Sequence, residues 1–564
     1  MMRRLLPLAA LVAIVGLSGC EKQLTVTNPN SGDTKRVLGT PDDAEALIAT
    51  YYKRWSSGLY GSTSTLEAMA NIFSMQNYSS LANNCMNSHA PFSGATNVNA
   101  PGNTCAGEQF RVYSIMSEVN RVSASLLTQM AGGLTLGSAA RDARAKSWAN
   151  FLIGLSTGYV ALYHDSGAVV SVGQGGQDAG KLISYKVLAD SSMAAFQRAI
   201  DEASKPGVTS SSGFPIPTAW LPSPTVWTTT EYIRLIRSYR ARIRAAVGRT
   251  PAERAAADWT AIIADAQNGI TVDHLITTST TQGPGQSLVA TYDGYGTWHQ
   301  MTPFIIGMAD VSGSYGAWTA QPISERGSGN QSFFMVTPDL RFPQGATRAA
   351  QQADFSITAC QAAATPCKRY FVNRPAGGDQ FAGLGWGWSN YDFVRFHSWR
   401  VSGDGTAQNG KLPFIVKPEI DMLQAEGLYR KGDFAGAAAL VNVTRVRNGL
   451  PAITTFDAAS RVPGGTTDCV PKVPVAPFNV IGCGNLWEAL KYEKRIETAY
   501  THSSAWYFDS RGWGDLPAET PLFWAVPFQD LQARGYATSS IYGAGIGAGN
   551  APGSFVATKG TYGW

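Results

Sequence analysis

Pairs of amphipathic helical segments recur along this 564-residue chain. Within each segment, apolar residues return at the three- and four-residue spacing that places them on one face of a helix. The pairs cover residues 41–56 with 108–130, 139–164 with 185–204, 229–247 with 252–268, and 417–431 with 433–447. A single hairpin cannot bury its apolar faces alone, so recurring hairpins predict an array in which neighbours stack.

The fourth pair, "AEGLYRKGDFAGAAALVNVTRVRNGLP", has the clearest hairpin signal. A tetratricopeptide hairpin has a small residue where its helices cross, then a turn, an aromatic residue and an alanine, because small side chains let the two backbones approach. The residues in those places are Ala425, Gly432, Asp433, Phe434 and Ala437. We therefore predict a mainly α fold in which four tetratricopeptide-like helix hairpins form a scaffold.

Residues 270–415 lack the helical period. They are rich in Gly, Ser, Thr, Gln and aromatic residues, and they contain short strand-like pieces such as "SFFMV" and "YDFVRF". The stretch is too long to be one connecting loop. It predicts an irregular, loop-rich lobe with short strands, inserted between the third and fourth helix pairs.

The N-terminus has the pattern of an export signal. Two arginines precede an apolar run over residues 5–15, which is too short to span a bilayer. The run leads into "LSGC", ending at Cys20, which resembles the lipobox of bacterial lipoproteins, where the thiol is acylated and the peptide is cut just before it. Acyl chains contribute about 0.8 kcal/mol per buried methylene, so two or more make a stable anchor. The alternative is a plain signal peptide whose cysteine is incidental.

These patterns divide the chain into five predicted parts. The first three are a lipoprotein signal peptide at 1–19, a helical-repeat region at 20–269 and the irregular ligand-binding lobe at 270–415. The fourth hairpin follows at 416–450, and a C-terminal segment at 451–564 is expected to pack on the lobe. After Cys20, no stretch approaches the 18 consecutive apolar residues of a membrane-spanning helix.

Six further cysteines fall as three couples that are close in sequence. They are Cys85 and Cys105, Cys360 and Cys367, and Cys469 and Cys483. Six cysteines allow fifteen connectivities, and only closeness in the chain favours this one. Disulfides that close loops in an exported protein are the preferred interpretation over a catalytic or metal-binding role.

The charge distribution argues against nucleic acid as a partner. The formal net charge is +5, and no dense block of Lys and Arg exists to follow a phosphate backbone. The histidines are scattered without the HExxH spacing of a zinc site. We therefore expect neither a metal nor an organic cofactor.

Two segments resemble the SusD/RagB family. "KPEIDMLQAEGLYRKGDFAGAAALVNVTRVRNGLP" resembles that family's hairpin, and "LKYEKRIETAY", "WYFDSRGWGDL" and "PLFWAVPFQDLQARG" resemble its C-terminal run. The matching positions are Asn442, Arg445, Arg447, Gly449 and Leu450 in the hairpin, and Glu493, Arg495, Glu497, Phe508, Asp509, Arg511, Trp513 and Gly514 in the run. Departures stand at Ser510, Gly512 and the "AVP" element. Within the run, Asp509 and Arg511 are expected to form an ion pair.

This resemblance implies a function as well as a fold. It implies an outer-membrane lipoprotein, anchored at Cys20 on the cell surface, that captures a nutrient, commonly a glycan. It further implies a SusC-like TonB-dependent transporter as the partner that imports the ligand. Proteins of this family bind their ligands and do not cleave them, so no enzymatic activity is expected.

An excess of large aromatic residues marks the candidate ligand site. The chain has 15 Trp, 22 Tyr and 23 Phe, and glycines separate many of those in the lobe. Flat rings left on a surface can stack on sugar rings. For each ring taken singly, burial in the lobe's own core is the preferred interpretation, whereas for the group we expect two or three rings to face a ligand. The candidates in the lobe are Tyr292, Tyr295, Trp298, Tyr315, Trp318, Trp386, Trp388 and Tyr391, and the family resemblance adds Asn77 and Tyr78.

Two other classes of function remain open on sequence grounds. An adhesion or assembly scaffold would use the same helical array to bind protein partners, with the aromatic residues in its core. A glycosidase would need two carboxylates about 5 Å or 6.5–9.5 Å apart. The lobe has acids at Asp293, Asp310, Glu325, Asp379, Asp392 and Asp404, but their spacing singles out no pair.

Overall fold

The structure is a computed structural model. It describes residues 40–60, 66–78, 98–103, 106–174, 180–208, 213–223, 226–278, 300–326, 333–356, 367, 369–373, 389–396, 410–501, 504–536, 542–543 and 554–564. In these ranges helices predominate, and every strand belongs to a two-stranded antiparallel ladder.

The helices of the N-terminal half begin at capping residues that the sequence supplies. Thr40 and Ser138 accept hydrogen bonds from backbone N–H groups of the first turns they precede, and Thr228 forms a capping box with Glu231. The helices are α1 Pro41–Ala49, α2 Tyr51–Tyr60, α3 Leu66–Phe73, α4 Ala106–Ala131, α5 Ala139–Tyr163, α6 Tyr185–Ala203, α7 Thr229–Ala246, α8 Pro251–Ala255 and α9 Trp259–Gln267.

In the C-terminal half, the helices of the lobe are short, and those between residues 417 and 498 are longer. Asp433 and Asn485 cap two of the longer ones. The helices are α10 Pro303–Ile306, α11 Ser314–Ala320, α12 Arg348–Asp354, α13 Lys417–Arg430, α14 Phe434–Arg447, α15 Leu486–Thr498, α16 Ala505–Trp513 and α17 Phe528–Ala533.

The strands are short, and each pairs with one other strand. They are β1 Asn77–Tyr78, β2 Val98–Asn99, β3 Ser166–Ala168, β4 Leu182–Ser184, β5 His274–Thr278, β6 Gln300–Met301, β7 Phe371–Asn373, β8 Tyr391–Phe393, β9 Gly410–Ile415, β10 Lys472–Val475, β11 Val480–Cys483 and β12 Tyr542–Gly543. They pair as β1 with β6, β2 with β12, β3 with β4, β5 with β9, β7 with β8, and β10 with β11. The predicted strand "SFFMV" is in no regular element over its described residues 333–336.

The predicted array of helix hairpins is confirmed. Helix α5 packs on α6, α7 packs on α9, and α13 packs on α14. Two predicted helices are each divided in two. Thr50 separates α1 from α2, and Asp258 starts α9 by accepting a hydrogen bond from Ala261 N. The mainly α, tetratricopeptide-like scaffold is therefore established.

The lobe, residues 270–415, is inserted between two hairpins that still touch each other. Helix α9 of the third hairpin packs directly on α13 of the fourth. The chain leaves along β5 and returns along β9, and these strands pair from His274 opposite Ile415 to Thr278 opposite Gly410. This ladder closes the base of the insertion.

Glycines allow α5 to lie close to its neighbours. A Cβ atom at Gly154 would lie 2.6 Å from the Phe196 ring of α6. At Gly158 it would lie 2.6 Å from Ile243 of α7 and 2.7 Å from Ser192 of α6. Real Cβ atoms essentially never approach other atoms so closely, so the three helices can cross only without these side chains.

Replacing Gly158 by alanine is expected to lower the free energy of unfolding by about 1–2 kcal/mol. Overpacking costs about 1–3 kcal/mol, and the better helix propensity of alanine returns up to about 1 kcal/mol. Urea unfolding checks the value. Gly107→Ala is the matched control, because nothing lies within 4 Å of its Cβ position. An unchanged or raised stability for Gly158→Ala would contradict the close packing of α5 on α6 and α7 at this position.

The buried apolar residues form three large clusters. One fills the N-terminal hairpins, a second fills the lobe, and a third lies between the fourth hairpin and α15. Residues after 451 contribute to all three: Tyr507 and Trp524 to the first, Trp506 and Trp564 to the second, and Leu490 to the third. The C-terminal segment therefore links the scaffold to the lobe.

Arg511 has a different role from the one its sequence context indicated. The expected ion pair with Asp509 is wrong, because Asp509 pairs with Arg254 and Lys494. The Arg511 guanidinium instead donates to the carbonyl groups of Leu162, Ala246 and Leu522. The last carbonyl groups of a helix have no partner within it, so this arginine completes the hydrogen bonding at the ends of α5 and α7.

One disulfide lies wholly within the described residues. Cys469 and Cys483 are bridged, with 5.8 Å between their Cα atoms, beside the β10 and β11 hairpin. Cys367 is also disulfide-bonded. Cys20, Cys85, Cys105 and Cys360 lie outside the described residues.

Candidate functional site

Three of the predicted ligand-binding rings lie in the core of the lobe. Tyr315, Trp318 and Tyr391 are 1%, 7% and 0% exposed. The hydroxyl of Tyr315 donates to the Phe304 carbonyl at 2.6 Å, and that of Tyr391 donates to Gln351 Oε1 at 2.9 Å. Burial raises the pKa of both hydroxyls above the usual value. In this conformation these rings have no surface to offer a ligand, which corrects the expectation for them.

The buried rings form a packed base under one side of the lobe. Phe304 makes edge contacts with Trp318 and with Trp564, each with ring centroids 4.8 Å apart. The Arg326 guanidinium lies 4.8 Å from the centre of the Trp318 ring, and the indole N–H donates to the Arg326 carbonyl. Such edge contacts and cation–π contacts hold ring orientation as well as burying area.

The chain segments that carry or adjoin the other predicted residues meet at one small sheet. Strands β1 and β6, here called the junction sheet, pair Asn77 with Met301 and Tyr78 with Gln300. The carbonyl of Met301 also accepts hydrogen bonds from Ser389 N and Ser389 Oγ, at 3.2 and 2.8 Å. Three chain segments that are distant in sequence are thereby fixed side by side.

Most of the predicted ring residues belong to the chain on either side of that junction. Tyr292, Tyr295, Trp298, Trp386 and Trp388 lie outside the described residues. In sequence, Trp298 stands two positions before Gln300, and Trp388 directly precedes Ser389. Asn77 is fully buried within the sheet. The role of these five rings and of Tyr78 in ligand binding stays a prediction.

The carboxylate of Asp310 organises the loop above the buried rings. It accepts hydrogen bonds from the backbone N–H groups of Ser312, Tyr315 and Val336, at 3.0, 3.0 and 3.1 Å. A carboxylate engaged in this way stabilises a fold and is poorly placed to transfer a proton to a ligand. Within the described ranges, no group of three or more His, Cys, Asp or Glu side chains is arranged to hold a metal ion.

A buried charge network joins the lobe to α15. Arg341 lies within 2.6 Å of Asp339, 2.9 Å of Glu493 and 3.3 Å of Glu497, and these side chains are fully buried. Burial alone raises the pKa of Glu497, but the charges of Arg395, Arg341 and Arg447 outweigh it and lower the pKa. The acids that resemble the family signature therefore hold two parts of the fold together.

Sequence reasoning missed an open aromatic cleft on the scaffold. We call it the scaffold cleft, and its volume is about 550 Å³. Its lining residues are Pro251, Ala255, Tyr429, Arg430, Phe434, Ala458, Trp487, Gly512 and Trp513. Tyr429, Phe434 and Trp487 are half-buried, whereas Trp513 is 7% exposed and forms the inner wall. The rings come from α13, α14, α15 and α16, and no local pattern reveals that these helices converge.

A second cleft, of about 600 Å³, lies between α6 and the turn before α9. Three of its charged side chains already form ion pairs. Lys186 Nζ lies 3.1 Å from Glu253, and Arg244 lies 2.7 Å from Asp265. It is therefore a weaker candidate for a ligand site than the scaffold cleft.

The architecture is that of a helical-repeat scaffold with an irregular lobe inserted before its last hairpin. A SusD-like carbohydrate-binding protein from Bacteroides fragilis shares it, with a TM-score of 0.51 and 12% identity over 85% of this chain and 87% of that one. This chain therefore has the SusD-like fold. The sequence itself matches no protein-family model and no curated protein.

Two further solved structures align over a similar extent. A SusD-like protein from Bacteroides fragilis aligns at 15% identity and a TM-score of 0.49, over 85% of this chain and 87% of that one. A SusD superfamily protein from Bacteroides vulgatus aligns at 11% identity and a TM-score of 0.49, over 88% and 90%.

Proposed function

We propose that this chain is a surface-exposed lipoprotein that binds a glycan or another nutrient and delivers it to a SusC-like TonB-dependent outer-membrane transporter. The observation that carries the proposal is the SusD-like fold, which this chain shares with a solved carbohydrate-binding protein over most of both lengths. The sequence resemblance in the fourth hairpin and in the C-terminal run supports it independently.

The lobe supplies the proposed ligand platform beside the junction sheet. Tyr78, Trp298 and Trp388 would act together there, because the junction sheet fixes the chain next to each of them. Tyr292, Tyr295 and Trp386 are proposed as further ligand contacts.

The proposed attachment to the membrane is the acylated thiol of Cys20. No helix in the part of the chain that the structure describes is long and apolar enough to cross a membrane. The lipobox at "LSGC" would hold the protein at the outer membrane while its lobe meets ligand outside the cell. Binding without cleavage is proposed, as the family resemblance implies, and of the lobe acids Asp310 is engaged in hydrogen bonds to backbone N–H groups.

Titration of the purified chain with oligosaccharides is expected to change its tryptophan fluorescence saturably. The probes are linear hexasaccharides of glucose, xylose and mannose in α and β linkage. Trp298→Ala and Trp388→Ala are expected to weaken binding about tenfold, which corresponds to about 1.4 kcal/mol of lost stacking. No response of the unaltered chain to any of these sugars would contradict the proposal, and release of reducing ends would contradict binding without cleavage.

A protein-binding scaffold is the second candidate, and one surface favours it. Helix α14 exposes Val443 and Val446, at 54% and 55%, on its outer face. Neighbouring exposed apolar residues on a helix can dock a partner protein. Failure of every sugar to bind, together with association of the chain with a protein partner that Val443→Glu abolishes, would favour this candidate.

A further inference from the structure

We infer that the scaffold cleft is a second carbohydrate-binding site, separate from the lobe. The inference rests on the proposed function in taking carbohydrate as the ligand class. The lining residues come from α8, α13, α14, α15, α16 and the loop at Ala458, so no residue of the lobe takes part. A ligand there would contact none of the residues proposed for the lobe platform.

The rings of the cleft are arranged as a floor and a wall. The centroids of Tyr429 and Trp487 are 5.0 Å apart with 33° between the ring planes, so the two rings form a shallow trough. Phe434 extends it with an edge contact to Tyr429 at 5.0 Å. Trp513 stands at 77° to Trp487, with centroids 6.0 Å apart. The C–H faces of pyranose rings can lie on such a floor.

The floor is held rigid from below. The Arg430 guanidinium lies between two indoles, 5.1 Å from the Trp487 ring and 5.0 Å from the Trp259 ring. Its charge is paired with Glu426 at 2.9 Å, and Glu426 also accepts a hydrogen bond from Trp513 Nε1 at 3.1 Å. Rings fixed in this way lose little freedom when a ligand binds.

One polar atom on each of two rings is available to hydrogen-bond with ligand hydroxyls. Among the described residues, neither Tyr429 Oη nor Trp487 Nε1 has a hydrogen-bond partner. Partial burial raises the pKa of Tyr429, with Glu488 adding to the effect, so the hydroxyl stays protonated and can both donate and accept. A site with aromatic faces and a few polar atoms matches the amphipathic surface of a sugar.

Other ligand classes fit the cleft less well. The cation in the lining, Arg430, is already paired, which leaves no free charge to bind a phosphate or carboxylate. The aliphatic part of the lining is limited to small residues, Pro251, Ala255 and Ala458, so a lipid or aliphatic peptide anchor would find no deep pocket. The volume of about 550 Å³ falls in the usual range of about 300–1,000 Å³ for small-ligand sites.

Gly512 allows the Arg254 side chain to pack directly beneath the cleft. This glycine lies in the lining, and a Cβ atom there would collide with the Arg254 side chain beneath the cleft. Position 512 is also one at which the sequence departs from the resembling family.

Calorimetric titration of the purified chain with the same hexasaccharides tests the inference. We expect two sugar sites per chain, and we expect Trp487→Ala and Tyr429→Ala each to weaken one of them at least tenfold. Trp487→Phe is expected to keep most of the affinity, because the stacking face remains and only the N–H is lost. Thermal unfolding checks that each variant is folded.

The lobe variants Trp298→Ala and Trp388→Ala are the matched controls, because they should affect only the other site. If the unaltered chain binds sugar and the cleft variants leave both the number of sites and the affinities unchanged, the inference fails and the proposed function stands. If the unaltered chain binds no sugar, both fail.

Discussion

Replacing Arg341 by methionine is expected to lower the free energy of unfolding by about 3–5 kcal/mol. The substitution keeps the length of the buried stem but removes the charge that balances Asp339 and Glu493. Asp339 would retain the hydroxyl of Tyr492 at 2.7 Å but lose its ion pair with Arg341, and the charge of Arg445, 3.8 Å from Glu493, would remain. A buried carboxylate that loses its paired counter-charge cannot recover the hydration that it lost on folding.

The loss should depend on pH in a defined direction. Burial already raises the pKa of Glu493, and losing Arg341 raises it further. The folded variant then binds more protons than its unfolded chain. The free energy of unfolding that it loses relative to the unaltered protein therefore becomes smaller as the pH falls from 8 to 5. Arg54→Met is the matched control, because Arg54 and Glu118 form an exposed pair, and such pairs contribute about 0–1 kcal/mol. Equal losses for the two variants would contradict the role given to the buried network.

Acidification from pH 7 to pH 5 is expected to destabilise the protein by roughly 2 kcal/mol for each of two buried histidines. Burial, together with the charge of Arg249, lowers the pKa of His164 to about 4. Burial and the charge of Arg242 lower that of His274 to about 3. In the unfolded chain both titrate near 6.5, so it binds protons that the folded protein excludes, and stability falls as the pH falls below that value.

His274→Phe isolates one of these contributions. The ring sits among aromatic neighbours, with its centroid 4.9 Å from that of Trp227 and its Nε2 3.1 Å from the Tyr52 hydroxyl. Phenylalanine keeps the ring contacts and removes the titrating group. Urea unfolding at pH 7 and pH 5 should show a smaller acid loss in the variant by about 2 kcal/mol. Identical acid losses would show that His274 is not kept neutral by the fold.

The helical scaffold could be predicted from sequence because its signals are local. Apolar spacing, capping residues and the Gly432 turn, with a φ of 82° that suits glycine, all lie within a few residues of the helices they define. The insertion of the lobe was also predictable, because the helical period stops near residue 270 and resumes near 417. The breaks at Thr50 and Asp258 were missed, since a short turn leaves the apolar spacing almost unchanged.

The fate of individual rings could not be predicted, because burial depends on partners far away in the chain. Glycines around Tyr315 suggested a ring held on the surface. The structure shows the opposite use, because Gly307 has no side chain and the Tyr315 ring packs against its backbone. Tyr391 is buried, and its hydroxyl bonds to Met335 and Gln351. Trp487 is half-buried in a cleft that it forms with Tyr429 and Trp513, which come from other helices. Neither outcome has a signature in the flanking residues.

The contacts of the C-terminal segment have a consequence for the order in which the chain can mature. Arg511 reaches the carbonyl of Leu162, 349 positions earlier, and the ring of Trp524 lies 5.6 Å from that of Tyr163. A nascent chain that has reached only the first three hairpins lacks these groups, so aromatic surface remains uncovered until residues near 524 have emerged. Contacts that span so much sequence form slowly, and partly folded chains that still expose this aromatic surface are prone to aggregate.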